Sequence, residues 1–514
     1  MPANTTGTPK EARTRTNNKV HRHAWDAGVQ AIPDALSYDD VLLVPQRTSI
    51  TSRRDVDVST RLTRNIKLNI PIVSANMDTV TESAMAIELA RQGGIGIIHR
   101  FLPLEAQVAE VRSVKRAESF VIAQPFTIGP DETIERARNL MERHDVSGLV
   151  VVDAQGRLVG LVSARDVRFV RNPDLFIHDV MTPRQKVLTA PADVSNEEAQ
   201  DIFGKYKVEK LPLVDETTGE VVGLVTAKEL AYSGKSPRAV KDRRGRLLVG
   251  AAIGVLGDFM ERAEALLEAG ADVLVVDVAH GHSDAVIAVV KQLKDRWPNV
   301  DLIAGNVATR EGAADLIDAG VDAVKVGVGP GAVCTTRIVT GAGVPQLSAV
   351  MDCAAACQPA GVPLIADGGV KTSGDITKAL SAGGSTVMIG SLLAGTDESP
   401  GQTVTRRGQR YKTYRGMASL SATMARRKRE KELSDIAHQE DDEWLSQVVP
   451  EGVEAMVPYR GPVREVLTQL VGGLRSGMSY SNAKNLAELW EHARFVRITP
   501  AGLRESGPHD IVLD

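Results

Sequence analysis

Eight short apolar runs recur along the chain, and most are followed by a stretch whose apolar residues have helical spacing. That alternation limits the fold more than any other feature. The runs are "NIPIVSANMD", "GGIGIIHR", "LLVGAAIG", "ADVLVVDVAHG", "VDLIAGNVAT", "DAVKVGVGPG", "VPLIADGGV" and "STVMIGSLLAG". Helical patterns such as "DFMERAEALLEAG", "REGAADLIDAG" and "SGDITKALSAGG" lie between them. Eight strands, each followed by a helix or a long loop, suit an α/β fold of the closed (β/α)8, or TIM-barrel, type. A doubly wound sheet is the rival, but no GxGxxG opens a βαβ unit with a following acid.

The series is interrupted after its second unit by an internal repeat. "SGLVVVDAQGRLVGLVSARDV" at 147–167 matches "EKLPLVDETTGEVVGLVTAKEL" at 209–230, and Gly160 to Ser163 fall on Gly223 to Thr226. Each copy reads helix, strand, turn, strand, helix. Two such units pack face to face, because each alone leaves an apolar sheet face uncovered. The pattern resembles a tandem pair of CBS domains (a Bateman module) spanning 120–234. In that family a hydroxyl and an acid three residues on bind nucleotide. Here these are Ser163 with Asp166 and Thr226 with Glu229. The plainer reading makes both acids helix N-terminal residues favoured by the macrodipole. The polar stretches "VKRAES" and "GKSPRAVKDRRGR" read as linkers. The barrel is then expected from 29–119 and 235–514, behind a polar, basic, disordered tail over 1–28.

A chain of 514 residues with net charge −4 buries a real core and gives no hint of nucleic-acid binding. No apolar run is long enough to span a bilayer, and the start of the chain has no apolar signal region. Three cysteines suggest a reducing compartment, hence a cytoplasmic protein. Cys353 and Cys357 sit four apart in an alanine-rich helical pattern, so buried helical thiols are expected there.

In a barrel, function gathers at the C-terminal ends of the strands. Asp277 and His280 follow the fourth strand, Asn306 the fifth, and "GPGAVCTTR" with Cys334 the sixth. Asp367, Gly368 and Gly369 follow the seventh, and Gly390 and Ser391 the eighth. Glycine turns let backbone N–H groups reach phosphate oxygens, and two on adjacent strands make a phosphate site. Beside it Cys334 reads as a nucleophile on a mobile glycine-rich loop, its thiolate favoured by backbone N–H groups. His280 and His282 are two apart with no third ligand nearby, which makes a poor metal pair.

These residues carry a resemblance. "LSYDDVLLVP", "MDTVTE", "GGIGIIHR", "AGNVAT", "GVGPGAVCTTR", "IADGGV", "MIGSLLAG", "YRGM" and "VPEGVE" resemble, in order, signatures of the IMP dehydrogenase/GMP reductase family over 33–512. The resemblance implies covalent catalysis at purine C2 on a purine nucleoside monophosphate, with NAD or NADP as hydride partner. It makes Cys334 the nucleophile, Thr336 and Glu451 its catalytic companions, and Asp367 the ribose ligand. Gly368, Gly369, Gly390, Ser391 and Tyr414 would hold the phosphate, and Gly416, Met417 and Glu451 the base. Asp277, Asn306 and Gly327 would lie on the cofactor side. The carbonyls of Gly329, Gly331 and Cys334 resemble a potassium site. Glu505, Ser506 and Gly507 of a neighbouring subunit would complete it in a homotetramer or octamer. An adenine or guanine nucleotide at the CBS pair would regulate.

Three departures separate the chain from the family pattern. Ala332 stands where the family has a phosphate-binding serine, a loss worth roughly 1.5–3 kcal/mol if the charged acceptor stays unpaired. Ala418 stands for a glycine. Dehydrogenases also carry an Arg-Tyr pair on a flap, where the arginine activates the hydrolytic water. The segment "ASLSATMARRKREKELSDIAHQEDDEWLSQVVP" has Arg426, Arg427 and Arg429 but no tyrosine. Reductases lack the pair, and "ANMDTV" with Asn76 resembles theirs. The CBS pair and the tail "FVRITPAGLRESGPHDI" resemble a dehydrogenase. IMP dehydrogenase is the first expectation, GMP reductase the second, and a non-catalytic nucleotide sensor the third.

Overall fold

The computed structural model describes residues 32–118, 120–172, 174–232, 236–425 and 448–508. The expected tail 1–28 and the arginines Arg426, Arg427 and Arg429 lie outside these residues.

All eight apolar runs form strands, and they close into one parallel barrel. In chain order they are β1 (Ile72–Ser74), β2 (Ile95–Ile98), β3 (Gly250–Ile253), β4 (Val273–Asp277), β5 (Asp301–Val307), β6 (Ala323–Val326), β7 (Leu364–Asp367) and β8 (Thr386–Ile389). The barrel closes where Val387 pairs with Ile72, and Gly250 with Ile97. The strands are continuous apolar runs rather than alternating ones because helices cover the outside while side chains fill the inside. Ile72, Val73, Ile97, Ala251, Val275 and Ile365 are all fully buried.

Helices Ser83–Arg91, Leu104–Ala117, Phe259–Glu268, Asp284–Arg296, Arg310–Asp318, Gln346–Cys357, Ser373–Ser381 and Val463–Tyr480 supply the outer layer. Their starts follow capping chemistry. Thr309 Oγ1 accepts from Gly312 N, and Thr372 and Asp375 form a capping box.

The repeat leaves the barrel after Leu104–Ala117 and returns before β3. Its strands form two four-stranded sheets. They meet through Val150, Leu158, Val187 and Leu224. Val121–Ile122, ahead of the first copy, pairs with Val221–Thr226 of the second. The stretch "VKRAES" is not the exposed linker expected of it. Its first four residues complete a barrel helix, and Lys115 is buried against Asp242, Asp272 (2.6 Å) and the Leu247 carbonyl. The amphipathic period of the helix runs through the charged residues, and the Lys115 stem covers apolar surface.

Between β8 and the last barrel helix a three-stranded antiparallel sheet stands off the barrel: Thr403–Arg406, Gln409–Arg415 and Glu454–Pro458. The eight-strand reading did not foresee it. Its strands are largely exposed and the first two are polar, so it leaves little apolar signal.

Candidate active site

The strand ends enclose a cavity of about 440 Å³. Its walls include Cys334, Thr336 and Glu451, and the residues expected on the substrate side, Asp367, Gly368, Gly369, Gly390, Ser391, Tyr414, Gly416 and Met417. Asp277, Asn306 and Gly327 line it as well, with Gly329 and Gly331. Fourteen strand-end and loop residues picked from sequence therefore share one cavity with two of the carbonyl candidates. Glu505, Ser506 and Gly507 do not reach it. They lie at the end of the helix Pro500–Glu505.

The Cys334 loop is tied down rather than loose. Arg337 Nε donates to the Val328 carbonyl at 3.2 Å, and its other arm reaches the Val344 carbonyl. Thr335 N donates to Glu451 O at 2.9 Å, and Val453 N to Val333 O at 3.0 Å. The loop and the Glu451 segment, more than a hundred residues apart, thus form one clasp. The half-buried Cys334 thiol donates to Thr336 Oγ1 at 3.1 Å. Its recorded partner among the described residues is this hydroxyl, not the backbone N–H groups expected from sequence. The glycines are required by space. A Cβ on Gly327 would stand 2.1 Å from the Asp367 carbonyl oxygen, and Gly329 holds φ +83°.

At the floor of the cavity lies a group that sequence reading missed. Lys325, on β6, is 2% exposed. Its ammonium donates to Asp277 Oδ1 at 2.9 Å, to Asp367 Oδ2 at 2.8 Å and to Asn306 Oδ1. Asn306 Nδ2 in turn donates to Asp367 Oδ2 at 2.9 Å and to the Gly327 carbonyl. Burial works against the Lys325 charge, but Asp277 and Asp367 outweigh it and hold its pKa above the ordinary lysine value. Burial likewise pushes Asp277 up, yet Lys325, Arg100 and a hydrogen bond from Asn76 bring it below the usual carboxylate range. The signal was present in "DAVKVGVG": a lysine inside an otherwise apolar strand.

Tyr414 reaches the cavity from the antiparallel sheet and is 4% exposed. Burial, with Asp367 and Cys334 nearby, pushes its phenol pKa up, so it remains a neutral donor. Its strand is fixed to the barrel by Arg415, whose Nε donates to Asp78 Oδ2 at 3.0 Å. Cys353 and Cys357 are buried in the helix Gln346–Cys357, and His282 Nε2 pairs with Asp315 at 2.8 Å.

In the repeat module, Ser163 N and Oγ both donate to Asp166 Oδ2 at 2.7 Å. That is the helix-capping arrangement. In the second copy Glu229 N donates to Thr226 Oγ1 at 3.2 Å, and the Glu229 carboxylate has no recorded partner among the described residues.

The pattern of a thiol loop, a cavity-lining carboxylate and paired glycine turns has relatives. Residues 35–509 match the model of the IMP dehydrogenase / GMP reductase domain. The chain belongs to this family. It is 54% identical over 480 residues to inosine-5'-monophosphate dehydrogenase of Nitrosopumilus maritimus, covering 93% of this chain and 99% of the relative. It is 52% identical to the enzyme of the same name from Aquifex aeolicus, over 93% and 96% of the two chains. Among solved structures it is similar to GMP reductase from Trypanosoma brucei in complex with guanosine 5'-monophosphate. The TM-score is 0.78 and the identity 48%, over 94% of this chain and 99% of that one. Among the described residues no helix is long and apolar enough to cross a membrane.

Proposed function

We propose that this chain is an IMP dehydrogenase, oxidising IMP at C2 to XMP. The observation that carries the reading is the loop of Cys334 and Thr336, clasped to the Glu451 segment and set in one cavity with Asp367 and the Gly368–Gly369 and Gly390–Ser391 turns. The similarity to the two dehydrogenases supports it. Cys334 attacks C2 of the purine, forming a C–S bond as hydride leaves C2. NAD, bound on the Asp277 and Asn306 side, supplies the hydride acceptor. Water then cleaves the C–S bond, releasing XMP and returning the thiol. Thr336 is one hydroxyl away from the sulfur, and Glu451 lines the same cavity. They are the described groups placed to take the proton of that water. Asp367 receives the ribose hydroxyls. Gly368, Gly369, Gly390 and Ser391 offer N–H and O–H donors to the phosphate, with neutral Tyr414. Gly416 and Met417 face the base.

The loop also suits a monovalent cation. The carbonyls of Gly329 and Cys334 have no recorded donor among the described residues, while Gly331 O accepts from Cys334 N at 3.1 Å. Such oxygens would hold potassium and keep the Cys334 backbone in place. Glu505, Ser506 and Gly507 of a neighbouring subunit would complete the shell in a tetramer or octamer. Thr226 with Glu229, and Ser163 with Asp166, are the nucleotide candidates of the CBS-like pair.

The segment without tyrosine between Tyr414 and Tyr459 favours a second reading, GMP reductase, in which NADPH reduces GMP and ammonia leaves. Nicotinamide absorbance in potassium buffer separates the two. A rise with IMP and NAD, with XMP formed, establishes the dehydrogenase. A fall with GMP and NADPH, with ammonia released, establishes the reductase. No turnover with either pair leaves the sensor.

A further inference from the structure

We propose that Lys325 is a positioning residue for both ligands. Its single ammonium orients the carboxylate of Asp367 toward the substrate ribose and that of Asp277 toward the dinucleotide. The inference rests on the reading of the cavity given above.

The geometry is specific about which oxygens are free. Asp367 Oδ2 is fully engaged, by Lys325 Nζ at 2.8 Å and Asn306 Nδ2 at 2.9 Å. Asp367 Oδ1 has no recorded donor among the described residues, and the residue lines the cavity. Rotating the carboxylate out of this orientation would give up both bonds, so one oxygen is held and the other is presented. The Asp367 backbone is fixed as well, its carbonyl accepting from Gln346 Nε2 at 3.1 Å. On the other side Asp277 Oδ1 takes a second proton of the same ammonium at 2.9 Å. The third goes to Asn306 Oδ1, so every donor of the ammonium is spent inside the protein. No proton is left for a ligand, and Lys325 therefore acts through its neighbours.

Stability alone does not account for this arrangement. A buried cation costs desolvation, and well-packed apolar residues often replace a buried ionic group without loss. The flanking Val324 and Val326 are themselves fully buried. What a fourth apolar side chain in "AVKV" could not do is hold two carboxylates from β4 and β7 in fixed rotations.

The test is a double-mutant cycle read by calorimetry in a Cys334→Ala background, where ligands bind without turnover. Lys325→Met is expected to weaken IMP binding roughly 10- to 100-fold. In an Asp367→Asn background the same change should add less than about threefold, because its target is already gone. NAD binding should behave the same way in a cycle with Asp277→Asn. Lys325→Arg should recover part of both affinities. Unchanged affinity in Lys325→Met, or effects that add in full, would overturn the proposal. If Lys325→Met fails to fold by circular dichroism, Lys325→Gln carries the same cycle. Failure of the Lys325-intact protein to bind either IMP or GMP would overturn the reading of the cavity and this inference with it. IMP binding with an additive cycle would overturn only the role of Lys325.

Discussion

The barrel mouth and the repeat module each present acids beside hydroxyl or amide groups, but they hold them differently. At the barrel mouth the partners come from afar: Lys325 and Asp277 are 48 residues apart, Asn306 and Asp367 61. In the first repeat copy, Asp166 is held by Ser163, three residues away, on its own helix. A local pair is part of the helix that carries it. A pair assembled from separate strands exists only if the barrel closes, and there it leaves an oxygen facing the cavity. The contrast shows why similar residue types open onto a cavity in one region and close on their own helix start in the other.

The contrast breaks most sharply at the thiols. Cys334→Ala should abolish turnover, by roughly 10⁴-fold or more, with mononucleotide affinity changed only a few-fold. Loss of binding would make the loop structural instead. Mass spectrometry after alkylation at pH 8 should find the label on Cys334 of the folded protein. Burial pushes the Cys353 thiol up and that of Cys357 up to about 12. Both therefore stay protonated and inert at pH 8 while the fold holds. Labelling of Cys353 or Cys357 as fast as Cys334 would contradict this.

Next in size is Glu451→Gln. Steady-state kinetics should show a fall of about 10²–10⁴ in kcat if Glu451 acts as proton acceptor. Unaltered kcat would remove the Thr336–Glu451 relay.

A smaller effect distinguishes the two repeat copies. Calorimetry with ATP and GTP should show that Thr226→Ala with Glu229→Gln loses about tenfold or more in affinity. Ser163→Ala with Asp166→Asn should lose less, because that hydroxyl is already spent on its own acid. Equal losses would erase the distinction drawn between the copies. The smallest effect is on stability. Ser163→Ala removes the hydroxyl's bond to the Asp166 carboxylate at the helix start and should cost about 1 kcal/mol in chemical denaturation. No change would mean that the Ser163 N–H bond to Asp166 suffices to hold the helix start.

Much of the site was legible because barrel strands end where function sits. The residues just beyond "VLVV", "DLIAG", "AVKV", "LIA" and "TVMI" were enough to bring Asp277, Asn306, Cys334, Asp367 and Gly390 to one cavity. Other features were not legible, for physical reasons. The clasp between the Cys334 loop and the Glu451 segment joins residues more than a hundred positions apart, and no local pattern pairs them. Arg415 meets Asp78 only because the antiparallel sheet folds back on the segment that follows β1. Lys115 looked like a linker residue because charge, not burial, is what a sequence displays.

By itself, then, the sequence determined the eight strands, the inserted repeat, the thiol-bearing loop and the glycine turns, all of them local features set by periodicity, side-chain size and backbone freedom. Only the tertiary structure decided which lone pairs and protons are spent. Lys325 joins Asp277 to Asp367, while Ser163 is consumed by its own cap. Those outcomes depend on distances of about 3 Å between groups on separate strands, and barrel closure sets such distances where spacing along the chain does not.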